Sequence, residues 1–205
     1  ARHQDATSAW PSLVAGRLDA EYHNISWSGS GVIWNAEGGC TADVPFHDLF
    51  PRLLGSLPGA GSIESTDWQP DAVVVYLGGN DWWSLHKKSD EALIEAFQAF
   101  LARVRTARPQ AWICVLLPSA SCVGACIGSL EEQASFAADM TRCWTAASSR
   151  LSDPLLCLEL VSPQPPCSLN VAEDWGQMGH WSVQGNAKWA SAVAPLLAAR
   201  LGWGS

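Results

Sequence analysis

Basic residues are scarce in this chain of 205 residues: 12 Lys and Arg stand against 20 Asp and Glu, for a formal net charge of −8. A balance of that sign opposes contact with nucleic acid, because phosphate binding depends on clustered cations. Lys87-Lys88 is the lone adjacent Lys/Arg pair and reads as solvated surface. Long apolar runs are missing as well. None approaches the roughly 20 residues that a bilayer crossing requires, so the sequence offers no membrane span. Zinc-ligand spacing is also absent among the seven cysteines, and no ligand cluster calls for a metal or another cofactor.

What remains is the composition of a globular protein, 48% hydrophobic and 16% charged, at a length that a single core can cover. One domain over residues 1–205 is expected. Seven cysteines are many for a reducing compartment, which favours an extracytoplasmic or organelle-lumen location and some disulfides. Cys122-Val-Gly-Ala-Cys126 has the spacing of a small closed loop, and Cys167 lies in a Pro-rich loop. Cys114 and Cys157 fall in apolar runs and read as core thiols. Cys40 and Cys143 complete the set, and the odd count leaves at least one thiol unpaired within the chain. Asn24-Ile25-Ser26 is a glycosylation sequon, but it falls within an expected strand, which argues against its use.

Periodicity divides the chain into alternating helices and strands. Thr7 and Ser8 are candidate caps for a helix to about Asp19, with Trp10, Leu13, Val14 and Leu18 on one face and Pro11 in the first turn. Residues 21–27 read as a short strand that ends in Ser28-Gly29-Ser30-Gly31. A short helix is expected between Pro45 and Leu54. Residues 71–77 form a β-branched run suited to a strand buried on both faces, which ends at Gly78-Gly79-Asn80-Asp81. Ser89 or Asp90 caps a helix whose stripe is Leu93, Ala96, Phe97, Phe100, Leu101 and Val104. A strand at 112–117, a helix from Ser129 to about Leu151, a strand at 155–161 and a closing helix from Ser182 to Leu201 follow. This alternation predicts an α/β fold with a mainly parallel sheet, where ligands bind beyond the carboxyl ends of the strands.

The loops at those ends carry three blocks in order: Trp27-Ser28-Gly29-Ser30-Gly31, Gly78-Gly79-Asn80-Asp81 and Gly179-His180-Trp181-Ser182. Their order resembles that of the SGNH, or GDSL-like, hydrolases, and residues 20–31 are most similar to the carbohydrate acetyl-esterase branch. The resemblance implies a three-layer α/β/α domain with a flavodoxin-like sheet. It implies a backbone N–H at Gly29 and the Asn80 side chain as oxyanion donors, with His180 as the base. The chemistry fits these residue types. Ester attack places charge on the carbonyl oxygen, and pre-aimed neutral donors stabilise it as it develops. Imidazole titrates near neutrality and can take the nucleophile's proton. Each block alone has a plainer explanation, as a turn, a cap or a packed loop histidine; three blocks in order outweigh it. His3, His23, His47 and His86 have no such setting.

Two departures qualify the resemblance. No Gly-Asp-Ser triplet, the family's nucleophile block, occurs in the sequence. Ser28 and Ser30 flank the second block and would stand among the donors for their own oxyanion. Without that block the first strand of the fold is also missing, a gap of about two strand spacings. An upstream segment, a complementing peptide or a partner protein chain is expected to fill it, unless the sheet is rebuilt around a smaller core. The second departure is the acid that orients the histidine, since Gln177 and Met178 occupy its places. Asp174, beside Glu173, is the nearest candidate.

Twelve tryptophans are present, and Trp82, Trp83, Trp175 and Trp181 adjoin the blocks. Most pack sheet and helix interfaces; Trp82 and Trp181 are the candidates for stacking on a sugar ring. Two functions follow. One is a serine esterase acting on a small acyl ester or an acylated carbohydrate. The other is an inactive SGNH-like structural or binding subunit. A phosphate-binding role is disfavoured, because residues 28–31 lack the glycine spacing and lysine of phosphate loops.

Overall fold

A computed structural model of the chain describes residues 5–36, 44–52, 57, 59, 61–63, 66–83, 89–119, 129–161, 171–176 and 180–203. Its elements run α1 (Trp10–Arg17), α2 (Phe46–Leu49), β1 (Ala72–Val75), α3 (Gly79–Trp83), α4 (Asp90–Ala107), β2 (Trp112–Pro118), α5 (Leu130–Leu151), β3 (Leu156–Val161), α6 (Val171–Asp174) and α7 (Val183–Leu201). The strands form one parallel sheet in the order β1-β2-β3. The fold is α/β, as the alternation of periods predicts. Ala72 to Val75 pair with Trp112 to Val115. Ile113 N–H donates to the Leu155 carbonyl and Ser119 N–H to that of Val161, so β2 and β3 keep one register from end to end.

Two sequence expectations are corrected. Residues 21–27 form no strand. Alternation there has no buried face to serve: Tyr22 is 46% exposed, and Glu21, His23 and Asn24 also face solvent. The first helix is capped differently. Asp5, rather than Thr7 or Ser8, accepts the Thr7 N–H and caps a single 3-10 turn (Ala6–Ser8) ahead of α1.

The chain forms two compact units, one of Ile25–Val115 and Asp139–Leu158, the other of Ala1–Asn24, Leu116–Ala138 and Glu159–Ser205. In the first, the predicted stripe of α4 is buried except for the half-buried Ala96, and Ile94 joins it. Phe97 stacks on Trp144 of α5 with ring centroids 3.7 Å apart, and Phe100 meets Phe46 and Phe50 edge-on. Arg105 ties together the ends where strands begin. Its guanidinium pairs with Asp153 at 2.7 Å and donates to the carbonyls of Arg108, Pro109 and Ala111. The Arg108 side chain, 3% exposed, donates to Ile63 O and Thr66 Oγ1. Cys114 and Cys157 are buried reduced thiols with Sγ atoms 3.2 Å apart, and Cys143 is a buried thiol too. Cys40, Cys122, Cys126 and Cys167, which carry the expected small-loop disulfide, lie outside the described residues.

In the second unit α1 packs on α7. Trp10 N–H donates to Asn186 Oδ1, and the Arg17 guanidinium donates to the Ala187 carbonyl. Trp189, Ala190, Val193, Ala194 and Leu197 form the buried stripe of α7, and Arg200 pairs with Glu159 of β3. Among the described residues no helix is long and apolar enough to cross a membrane.

Candidate active site

The Gly29 and Asn80 blocks lie in the first unit. Strand β1 hands the chain to α3 through Gly78, which has φ +108 and sits against Met140 Sδ and Phe97 Cζ, where a Cβ would approach to 2.7 and 3.0 Å. A side chain at 78 is excluded by both conformation and space. Trp144 Nε1 donates to the Leu77 carbonyl just before this turn. Asn80 and Asp81 thus fall on the first turn of a short helix. Asn80 Nδ2 donates to the Ser30 carbonyl at 3.1 Å and so joins the two blocks. Gly29 has φ +74, and its carbonyl accepts from Ala36 N–H at 2.8 Å, closing the segment into a loop. Ser30 is 3% exposed.

Asp81 was not singled out by sequence, yet it is the centre of this loop. Its side chain is 0% exposed. Oδ2 accepts from Val32 N–H at 2.7 Å, and Oδ1 accepts from Ile33 and Trp34 N–H at 2.8 and 3.0 Å. Burial pushes its carboxyl above the ordinary range, while the N–H donors of Ile33, Trp34 and Val32 act in the opposite direction. The available signal was its place in Gly-x-Asn-Asp, which pairs an acid with an amide directly after a buried strand. Trp82 is half-buried, and its indole N–H donates to Asp139 Oδ2 at 3.1 Å.

His180 lies in the second unit, between α6 and α7. Its loop is pinned at both ends: Trp175 and Trp181 form an antiparallel bridge, Gly176 N–H donates to the His180 carbonyl, and Ser182 N–H donates to the Asp174 carbonyl. The imidazole is exposed and forms no hydrogen bond or ion pair among the described residues. Asp174, 0% exposed, accepts from Lys188 Nζ of α7 at 2.7 Å. The Trp181 ring packs between Trp175 and the buried Trp189, with centroids at 6.1 and 4.4 Å. Gln177 and Met178 lie outside the described residues. Sequence reasoning missed Lys188, whose place one helical turn into α7 carried no motif. Among the described residues no group of three His, Cys, Asp or Glu side chains is placed to hold a metal.

The parallel α/β sheet, with its Gly78-Gly79-Asn80-Asp81 turn after β1, is of the class found in SGNH-type esterases. The chain belongs to the GDSL-like Lipase/Acylhydrolase family, whose model matches residues 2–188. It is 29% identical over 114 residues to an acetylxylan esterase / glucomannan deacetylase of Cellvibrio japonicus, a match that covers 55% of this chain and 31% of that protein. A carbohydrate esterase family 2 enzyme with a carbohydrate binding domain from Corynascus thermopiles (Myceliophthora fergusii) superposes with a TM-score of 0.73 at 25% identity, over 97% of this chain and 58% of that one. A family two carbohydrate esterase from Clostridium thermocellum, solved with cellohexaose, gives a TM-score of 0.76 at 20% identity over 97% of this chain and 56% of that one. This second likeness is one of fold. The chain thus spans less than two thirds of each of these relatives.

Proposed function

We propose that this chain carries the oxyanion-binding and base elements of a serine esterase that removes acetyl groups from carbohydrate. The observation that supports it most is the hydrogen bond from Asn80 Nδ2 to the Ser30 carbonyl. That bond brings the two donor blocks together in a chain of the acylhydrolase family. In this reading a serine hydroxyl attacks the acetyl carbonyl while His180 takes its proton. The oxyanion gathers on Gly29 N–H and the Asn80 amide. His180 then returns the proton to the leaving sugar oxygen, and water releases acetate from the acyl-serine by the same route in reverse. Asp174 serves by holding the His180 loop, through its carbonyl to Ser182 N–H and its carboxylate to Lys188. Trp82 and Trp181 are the candidate surfaces for the sugar. Acetylated xylan and glucomannan are the first substrates to test, by similarity to the Cellvibrio japonicus enzyme.

The absence of a Gly-Asp-Ser triplet favours a second reading, a non-catalytic SGNH-like subunit that binds carbohydrate or a partner protein. Labelling the full-length protein with a fluorophosphonate, together with acetate release from acetylated xylan, separates the two. The esterase reading expects one labelled serine and loss of acetate release in His180→Ala. A folded protein with neither label nor activity belongs to the second.

A further inference from the structure

We infer that Asp81 is a positioning residue that sets the oxyanion donors by capturing three consecutive backbone N–H groups of the 29–36 loop. The inference rests on the esterase reading above.

Consecutive backbone N–H groups that converge on one point form an anion-binding concavity. In this loop the concavity faces inward and is filled by the protein's own carboxylate, which accepts from Val32, Ile33 and Trp34. The loop cannot turn these donors elsewhere without stranding a wholly buried carboxylate, whose unsatisfied burial is costly. Gly31 enforces the fit. A Cβ there would collide with the Trp34 carbonyl and lie 2.7 Å from Asp81 Oδ2, so the loop wraps the carboxylate with no room for a side chain. Further bonds lock the frame: Gly31 N–H donates to Asn35 Oδ1, Phe46 N–H to the Gly31 carbonyl, and Ala36 N–H to the Gly29 carbonyl.

The consequence concerns the outward donors. Asn80 adjoins Asp81 on the same helical turn, and its amide spends one N–H on the Ser30 carbonyl. A primary amide has a second N–H to offer. With residues 32–34 anchored to position 81 and residue 30 anchored to position 80, Gly29 and Asn80 are fixed relative to each other by adjacent side chains of one short helix. Pre-aimed donors contribute most when they need no rearrangement as charge develops. Asp81 therefore acts on the reaction through the loop, without touching substrate.

The test uses full-length Asp81→Asn and Asp81→Ala with 4-nitrophenyl acetate, read as kcat and KM, together with hydrogen exchange of residues 29–36. Loss of donor placement is expected to lower kcat by about 100-fold, the lower end for removal of one oxyanion donor. KM should stay within threefold, and exchange in 29–36 should accelerate at least ~10-fold as the anchor is lost. A folded variant with kcat within threefold of wild type, or with unchanged exchange in that segment, overturns the inference. Should neither variant fold, replacing Ile33 with its α-hydroxy acid deletes one N–H donor and leaves the carboxylate intact. The same fall in kcat is then expected, and an unchanged kcat overturns the inference. A wild-type protein with no activity on any acyl ester removes the esterase reading and the catalytic meaning of the anchor with it. The exchange rates report separately whether Asp81 holds the loop.

Discussion

Lys188 Nζ lies 2.7 Å from Oδ2 of the wholly buried Asp174, and this ion pair joins the start of the His180 loop to the second turn of α7. Removing one partner of a buried pair leaves the other charge poorly compensated. Lys188→Met is expected to destabilise the protein by about 3 kcal/mol, and Asp174→Leu combined with Lys188→Met to recover most of that loss. Urea unfolding of the single and double variants measures both. A single-variant loss under ~1 kcal/mol would reduce the pair to a surface-like contact.

Ser182 closes the other side of the same loop. Its hydroxyl accepts from Gly185 N–H at 3.1 Å and donates to the Glu173 carbonyl at 2.8 Å. Ser182→Ala should cost about 1 kcal/mol of stability, the usual cost of losing a helix cap, while Ser182→Asn retains most of it. Equal melting temperatures for wild type and the alanine variant would show that the cap contributes nothing.

Asp81 gives a pH dependence of defined sign. Its folded carboxyl is raised above the ordinary value of 3.8, burial being the main cause. The native state therefore holds more protons than the unfolded chain between 3.8 and the raised folded value. The contribution of Asp81 to stability grows as pH falls through that window and is flat above it. The stability of wild type relative to Asp81→Asn should accordingly increase as pH is lowered from neutrality towards 4, measured by denaturant unfolding at each pH. A constant difference across that range contradicts the assignment.

The fold was legible where burial and period agree. The stripe of α4 from Leu93 to Val104 and the continuous apolar run of β2 need no tertiary information to be read, because each alone fixes which face is buried. Residues 21–27 show the limit. Alternation describes a face only if a neighbouring strand supplies hydrogen bonds and a core, and Tyr22 has neither. Block order alone brings Gly29, Asn80 and His180 forward as candidates. Asp81 and Lys188 were not, since one works by collecting backbone N–H groups 47 to 49 residues away, and the other by meeting a carboxylate 14 residues earlier. Neither relation has a local signature.

Cys114 and Cys157 sit side by side on β2 and β3 as buried thiols. Reagent reaches them only through opening of the sheet, which costs much of the global stability. Labelling by iodoacetamide should be at least ~100-fold slower in native buffer than in denaturant. Comparable rates in the two conditions would mean that this part of the sheet opens locally.

The clamp of Arg105 on Asp153 and on three carbonyls around residues 108–111 sits where β2 and β3 begin, whereas the Gly78-Gly79-Asn80-Asp81 turn follows the carboxyl end of β1. In the parallel β1–β2 pair the clamp and that turn lie at opposite ends. A single change at Arg105 touches both strand starts at once, whereas a change in the turn after β1 leaves that clamp in place.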